Sequence, residues 1–252
     1  MTDPGSAELR EDYEQRYDAG DADTARYGEW RALCAEGKAD HVAELVRALP
    51  EPPALVLEVG CGDGGLLAAL AARGVGERRE GVDISARAVE LAAQRPEIAS
   101  VQRFDGATLP YGDGAFHLGV LSHVLEHVPE PVPLLAEVAR VCSAVVVEVP
   151  LEDNRSASRP SAERARQDLG HLHRLSRGDV RALAGQAGLS VAGELADPLP
   201  AAIHTFWGEG PAARGKALAK AAVRRGLFSV APGAAERTFT VHYACLLVPA
   251  DG

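Results

Sequence analysis

The stretch Glu58-Val59-Gly60-Cys61-Gly62-Asp63-Gly64-Gly65 gathers residue types that can hold a nucleotide-like ligand. Gly60 and Gly62 can take tight turns and let a ligand approach the main chain, while Gly64 or Gly65 lets a helix pack closely on a strand. The helix start that follows offers N–H groups to an anion. Gly60, Gly62 and Gly65 also satisfy the G-x-G-x-x-G spacing of dinucleotide enzymes. Glu58 separates the two chemistries, because a carboxylate buried near a strand end is costly unless a cation or a donor meets it. A pyrophosphate would repel Glu58, whereas an amino-acid ammonium would pair with it. About one βα unit downstream, Gly81-Val82-Asp83-Ile84 ends a second short strand in an acid, as a ribose-diol acceptor requires.

These residues need strands to carry them. Leu55 to Val59 is an apolar run, a third strand over Val101 to Phe104 leads to Asp105 and Gly106, and a fourth over Leu118 to Leu121 runs into Ser122-His123-Val124-Leu125-Glu126-His127-Val128-Pro129-Glu130-Pro131. In order and spacing, Leu-Glu-Val-Gly-Cys-Gly-Asp-Gly, Gly-Val-Asp-Ile-Ser, Asp-Gly-Ala-Thr-Leu-Pro-Tyr-Gly-Asp-Gly-Ala-Phe and Ser-His-Val-Leu-Glu-His-Val-Pro-Glu-Pro resemble the class I S-adenosylmethionine-dependent methyltransferases of the ubiquinone-biosynthesis-like type (methyltransferase type 11). The resemblance implies an α/β fold: a Rossmann-like seven-stranded sheet flanked by helices, its last strand antiparallel, with an N-terminal helical cap. It further implies that Glu58, Gly60, Cys61 and Gly62 hold the methionine end of S-adenosyl-L-methionine. Asp83 with Ile84 would hold the ribose, Asp105 with Gly106 the adenine, and Ser122 would line the cofactor beside the sulfonium. One departure is His117, where the family has Asp; it lies at the start of the fourth strand, away from the ligand end.

Methyl transfer asks mainly for positioning, and a base helps when the acceptor is a hydroxyl. His123, just past the fourth strand, is one candidate base, with a helix-start residue bonding the backbone as its structural alternative. His171, in Gly-His-Leu-His-Arg-Leu-Ser, is the other, on the pattern of family members with a histidine near the substrate mouth. His127 is expected to pack on a helix face, His204 to sit in a mini-core with Phe206 and Trp207, and His242 to be a core or edge residue of a strand. The acidic run Glu148, Glu152, Asp153 and Asn154 offers hard oxygen ligands, but Ser122 stands where metal-dependent relatives supply a carboxylate. No metal is expected from it.

The chain of 252 residues, 46% hydrophobic, suits one α/β domain with a short appendage. A net charge of −10 argues against gripping a polyphosphate backbone, so nucleic acid is not an expected partner. No apolar run approaches the roughly 20 residues of a membrane span. The acidic, polar lead Met1 to Arg16 does not read as a signal peptide, and a cytoplasmic protein is expected. Cys34, Cys61, Cys142 and Cys245 form no C-x-x-C pair.

Residues 1–47 read as a helical cap or lid carrying Tyr13, Tyr17, Tyr27 and Trp30, and 48–252 as the catalytic domain. Residues 150–169 read as a polar loop. Ser176-Arg177-Gly178-Asp179 is a capping box, a sixth strand starts near Leu189, and Phe239 to Val248 is the seventh. Residues 197–236 must form an excursion over the surface. A basic helix over 212–225 reads as a solvated face. The expected function is methylation of a small molecule, O-methylation favoured. An NAD-dependent oxidoreductase and a noncatalytic binding protein of the same fold are the alternatives.

Overall fold

A computed structural model of the chain describes residues 22–250; Tyr13 and Tyr17 lie outside them. Helix α1 spans Ala22–Leu45. Its Ala35, Ala39, Val42 and Leu45 recur at three- and four-residue spacing and are buried. After a short 3₁₀ turn and Pro52-Pro53, the chain enters β1 (Leu55–Val59) and then α2 (Gly65–Ala72), β2 (Arg78–Asp83), α3 (Ala86–Ala92) and β3 (Ser100–Arg103). There follow β4 (Phe116–Ser122), α4 (Pro131–Val141), β5 (Cys142–Pro150), α5 (Pro160–Asp168), α6 (Arg177–Gln186) and β6 (Leu189–Asp197). Last come α7 (Ala201–Thr205), α8 (Gly210–Val230), α9 (Pro232–Thr238) and β7 (His242–Pro249).

The sheet has the order β3-β2-β1-β4-β5-β7-β6. Strands β1 to β5 pair in parallel, and β7 pairs antiparallel with both β5 and β6. This is the seven-stranded arrangement that the motifs imply. The order reverses between β1 and β4, the place where open α/β sheets form a ligand crevice at the carboxyl ends of their strands.

Alternation along each strand divides the core in two. Leu57, Val59, Leu121, Val145, Val147 and Val149 join one cluster, on the side of α4 and α6. Val56, Leu118, Val120, Ala144, Val146 and Leu246 join the other, with α1 and α2. Because side chains alternate with period two, Glu58, Ser122 and Glu148 share the face covered by α1. Register ties them together: Glu58 is opposite Val120, and Ser122 is opposite Glu148.

Several boundaries differ from those expected. Residues 150–169 contain α5, opened by Pro160 in its first turn, where a missing N–H costs nothing. Glu126 and His127 lie in a turn rather than on a helix; His123 takes a left-handed conformation (φ 59°), and α4 begins only at Pro131. Phe239 closes α9, so β7 starts at His242. The excursion consists of α7, α8 and α9. On α8, Arg214, Lys216, Lys220 and Arg225 are exposed, whereas Arg224 lies 4.4 Å over the Phe239 ring and donates to the Thr240 carbonyl. The capping box forms as expected, Ser176 and Asp179 each serving the other's backbone N–H. Among the described residues, no helix is long and apolar enough to cross a membrane.

Two substitutions separate packing from polar contributions. Leu57 is wholly buried in the cluster facing α4, so Leu57→Ala should lower the unfolding free energy by about 2–5 kcal/mol. Tyr243 is also wholly buried, with its hydroxyl donating to Glu194 Oε2 at 2.6 Å. Tyr243→Phe keeps the ring, and because it removes a hydrogen bond to a charged acceptor it should cost only about 1.5–3 kcal/mol. Urea unfolding of both variants checks the order.

Candidate active site

The turn after β1 is held by its own bonds. The N–H groups of Gly60 and Cys61 both donate to the Val82 carbonyl (2.8 and 3.0 Å), Gly62 donates to Asp83 Oδ2 at 2.8 Å, and Gly65 donates to Asp63 Oδ1 at 3.1 Å. The expected offer of free N–H groups to an anion is therefore not what this turn provides. Gly60 has φ 76°, and a Cβ there would come within 2.7 Å of Val124 Cγ2. The sequence demands glycine at this point both for the left-handed backbone and for the close approach of Val124.

Cys61 turns its side chain inward, where a Cβ on Gly81 would meet its sulfur at 2.7 Å. Burial, reinforced by Glu58 and Asp83, pushes its thiol well above the usual range, so it is an inert packing group. Asp83 is buried at the end of β2 and accepts from Gly62 and from the Ser85 N–H (2.9 Å). Ile84 follows, with its side chain 3.5 Å from where a Cβ of Gly106 would stand. Asp105 is exposed and closes its own turn by accepting from the N–H groups of Ala107 and Thr108. His117 accepts from the N–H groups of Ala54 and Leu55, both at 3.1 Å, at the sheet end remote from this turn.

Two polar atoms at the β1–β4 reversal are left without partners. Glu58 is 4% exposed and its Oε2 has no hydrogen bond; Ser122, 8% exposed on the neighbouring strand, has none on Oγ. Burial pushes the Glu58 carboxyl well above its ordinary range, opposed by Lys38 and aided by Asp63 and Asp83. Native structures rarely leave such groups unsatisfied, and an incoming cation or donor would meet both.

Beside them lies a cluster that the sequence does not announce. Glu148, 1% exposed, is approached by His41 of α1 (Nδ1 to Oε2, 3.1 Å) and by His242 of β7 (Nδ1 to Oε1, 3.1 Å). His123 brings Nε2 within 3.4 Å of His242 Nδ1 and 3.7 Å of Glu148 Oε1. Its Nδ1 lies 3.1 Å from Glu126 Oε1, and its backbone N–H donates to the Glu148 carbonyl at 2.8 Å. Burial alone would raise Glu148, but the three imidazoles outweigh it and hold the carboxyl well below its usual range. His41 would be lowered by burial, yet hydrogen bonds to Asp197 and Glu148 push it up to about 9.

His171 is buried on the other side of Glu126, hydrogen-bonded through Nδ1 to Glu152 Oε2 at 2.9 Å and with its ring centre 4.7 Å from that of His127. Burial and the His171 charge lower His127 to about 4. The backbone N–H groups of Leu172 and His173 both donate to the Glu126 carbonyl, which fastens this loop beneath the β4 turn. The acidic run considered as a metal site is dispersed: Glu148 faces the histidines, Glu152 meets His171, and Asn154 bonds its own loop through Leu151, Ser156 and Ala157. His204 donates to the Pro198 carbonyl at 3.3 Å, and Phe206 and Trp207 pack on Trp30 of α1.

His41, Glu126, Asp197 and Lys38 were missed in the sequence, and His242 was set aside as a core or edge residue. One signal was present for α1: Cys34, Lys38 and His41 form a polar stripe beside the buried apolar one.

Comparison with known proteins places this geometry. Residues 57–144 match the family model described as a methyltransferase domain. An uncharacterized methyltransferase of Mycobacterium leprae (strain Br4923) is 36% identical over 134 residues, covering 51% of this chain and 46% of that protein. The chain thus spans about half the length of the curated relatives it matches. The geranyl diphosphate C-methyltransferase from Streptomyces coelicolor A3(2), solved with Mg2+, geranyl diphosphate and S-adenosyl-L-homocysteine, superposes over 99% of this chain and 100% of its own (TM-score 0.65, 14% identity). A Haemonchus contortus phosphoethanolamine N-methyltransferase 2, solved with phosphomonomethylethanolamine and S-adenosylhomocysteine, covers 96% of this chain and 60% of its own (TM-score 0.61, 11% identity). Residues 57–144 are thus similar to the methyltransferase-domain family, and the chain has the fold of the class I S-adenosylmethionine-dependent methyltransferases.

Proposed function

We propose that this protein binds S-adenosyl-L-methionine at the β1–β4 reversal and transfers its methyl group to a small-molecule acceptor, most readily a hydroxyl. The observation that carries this is that Glu58 Oε2 and Ser122 Oγ, on one face of the neighbouring strands β1 and β4, are buried without a hydrogen bond, while the Gly60, Cys61, Gly62, Gly64 and Gly65 N–H groups of the adjoining turn are already used. The site lacks a donor, not an acceptor. An ammonium suits it and a pyrophosphate does not, which also sets aside the NAD-dependent alternative.

The residues fit the cofactor in named roles. Glu58 would accept from the ammonium, Gly60 would leave room for the methionine chain, and the Asp83 carboxylate at the end of β2 would take the ribose hydroxyls. Asp105 and Gly106 would face the adenine. The cofactor supplies an electrophilic methyl group; the chain orients the acceptor and takes up its proton. For that step the histidine end at His123 is better disposed than His171. The His123 side chain is 21% exposed and adjoins Ser122, whereas that of His171 is 7% exposed and tied to Glu152. The names of the structural neighbours include C- and N-methyltransferases, so the preference for oxygen rests on the histidines of this chain alone.

Glu58→Gln tests the cofactor site in two directions. A carboxyl whose pKa is higher in the folded than in the unfolded protein carries no penalty below its unfolded value of about 4.3, and a growing one as pH rises above it. The cofactor-free variant should therefore be more stable than wild type at pH 7 and equal to it near pH 4. By isothermal titration the same variant should bind S-adenosylhomocysteine roughly ten- to a hundredfold more weakly, for a lost charged hydrogen bond of about 1.5–3 kcal/mol. Unchanged affinity, or tight NAD binding, would sink the assignment. Gly60→Val should abolish cofactor binding in a folded protein, since a β-branched residue neither accepts the positive φ nor clears Val124. With a hydroxyl acceptor, His123→Ala should lower turnover by about 10²-fold or more at unchanged cofactor affinity. That loss should shrink as pH approaches the acceptor's own pKa, and His171→Ala should lose less. Equal, pH-insensitive losses at both positions would point to a carbon or amine acceptor.

A further inference from the structure

We propose that His123 Nε2, His242 Nδ1 and Glu148 Oε1 form a binding site for one divalent transition-metal ion of the zinc class. The three atoms make a closed triangle with edges of 3.1, 3.4 and 3.7 Å. Donors bound to zinc at about 2.0–2.1 Å in tetrahedral geometry stand ~3.4 Å from one another. The triangle already has the size of one face of such a site.

With its proton on Nδ1, His242 donates to Glu148 at 3.1 Å and faces the His123 Nε2 lone pair only at 3.4 Å, while His123 Nε2 and the carboxylate oxygen, both acceptors, stand 3.7 Å apart. One proton is thus shared among three acceptor atoms at long range, whereas a central cation would serve all three at bonding distance.

The surroundings fit a metal as well. Glu126 lies 3.1 Å from His123 Nδ1 and favours a proton there, which leaves Nε2 as a lone pair directed into the triangle. His41, 3.1 Å from Glu148 Oε2 and 3.5 Å from Asp197 Oδ2, steadies the carboxylate from behind. Three carboxylates, Glu126, Glu148 and Asp197, converge here against Lys38 and the His41 ring held between Glu148 and Asp197, so the cluster keeps an excess of negative charge that suits a cation. Two imidazoles with one carboxylate select a borderline ion such as Zn2+ over Mg2+, which prefers an all-oxygen shell. Three protein donors leave a fourth position open. The partly exposed rings of His123 and His242 give that position access. Resting on the proposed methyl transfer, that position is assigned to the acceptor hydroxyl, whose pKa the metal would lower; with the ion bound, His123 acts as its ligand and the lowered pKa takes the place of a histidine base.

The test uses the full chain after treatment with a chelator, titrated with Zn2+, Co2+ or Mg2+ alone and, separately, with S-adenosylhomocysteine. Expected are one equivalent of Zn2+ or Co2+ per chain, a visible Co2+ spectrum typical of low coordination number with nitrogen donors, and no comparable binding of Mg2+. His242→Ala should abolish the stoichiometric site while the circular dichroism stays that of the folded chain. Glu126→Gln should weaken binding about 10–100-fold, and His171→Ala should leave it unchanged. Binding that survives His242→Ala, that follows His171 instead, or that is absent from the folded wild type overturns the assignment. The S-adenosylhomocysteine titration reads the cofactor site independently, so loss of one assignment leaves the other standing or falling by itself.

Discussion

A carboxylate taken out of water costs several kcal/mol unless charges and donors answer it, and at Glu148 the answers come from three separate elements. His41 arrives on α1, His123 on the turn after β4, and His242 at the first residue of β7. Each of these elements is otherwise fixed by apolar packing: α1 by Ala35, Ala39, Val42 and Leu45, and β7 by its pairing with β5 and β6. The polar cluster therefore does not build the fold; the fold delivers its members. Once delivered, they lock α1 over the carboxyl ends of the parallel strands, on the same face as Glu58 and Ser122.

The two buried acids of this face stand in contrast. Glu148 is surrounded by imidazoles and ionises readily, whereas Glu58 has Lys38 as its main opposing charge and its carboxyl is pushed upward. Glu148 is answered by side chains of the chain itself, whereas Glu58 Oε2 has no hydrogen-bond partner. They are separated by the single strand β4, which ends at Ser122 and leads into His123, so the proposed cofactor and acceptor ends lie on neighbouring strands. The left-handed His123 (φ 59°) is part of this arrangement. It turns the chain out of β4 so that the ring returns over Glu148, a local strain of the sort found at functional positions.

The antiparallel insertion of β7 has a chemical consequence as well as a topological one. Were β7 parallel, His242 would sit at the opposite end of the sheet from Glu148. Running antiparallel, its first residues lie level with the last of β5, His242 opposite Pro150 and Tyr243 opposite Val149.

The linear order of residues determined the proposed cofactor cradle, because every group in it belongs to a short segment whose spacing and secondary structure coincide. The strand ending at Glu58, the left-handed glycines and the acid at Asp83 are all local, and their positions in the fold follow from the reversal of strand order at β1 and β4. Helix caps and strand identities were legible for the same reason, while Pro160 opened a helix in a segment too polar to announce one. Only the tertiary structure decided the histidine cluster. His41 and His242 are 201 positions apart in the numbering, and each in its own segment reads as an ordinary residue of an amphipathic helix or a strand. Their meeting at Glu148 depends on strand parity, on the insertion of β7 and on the docking of α1. These are long-range packing outcomes, and no local periodicity encodes them.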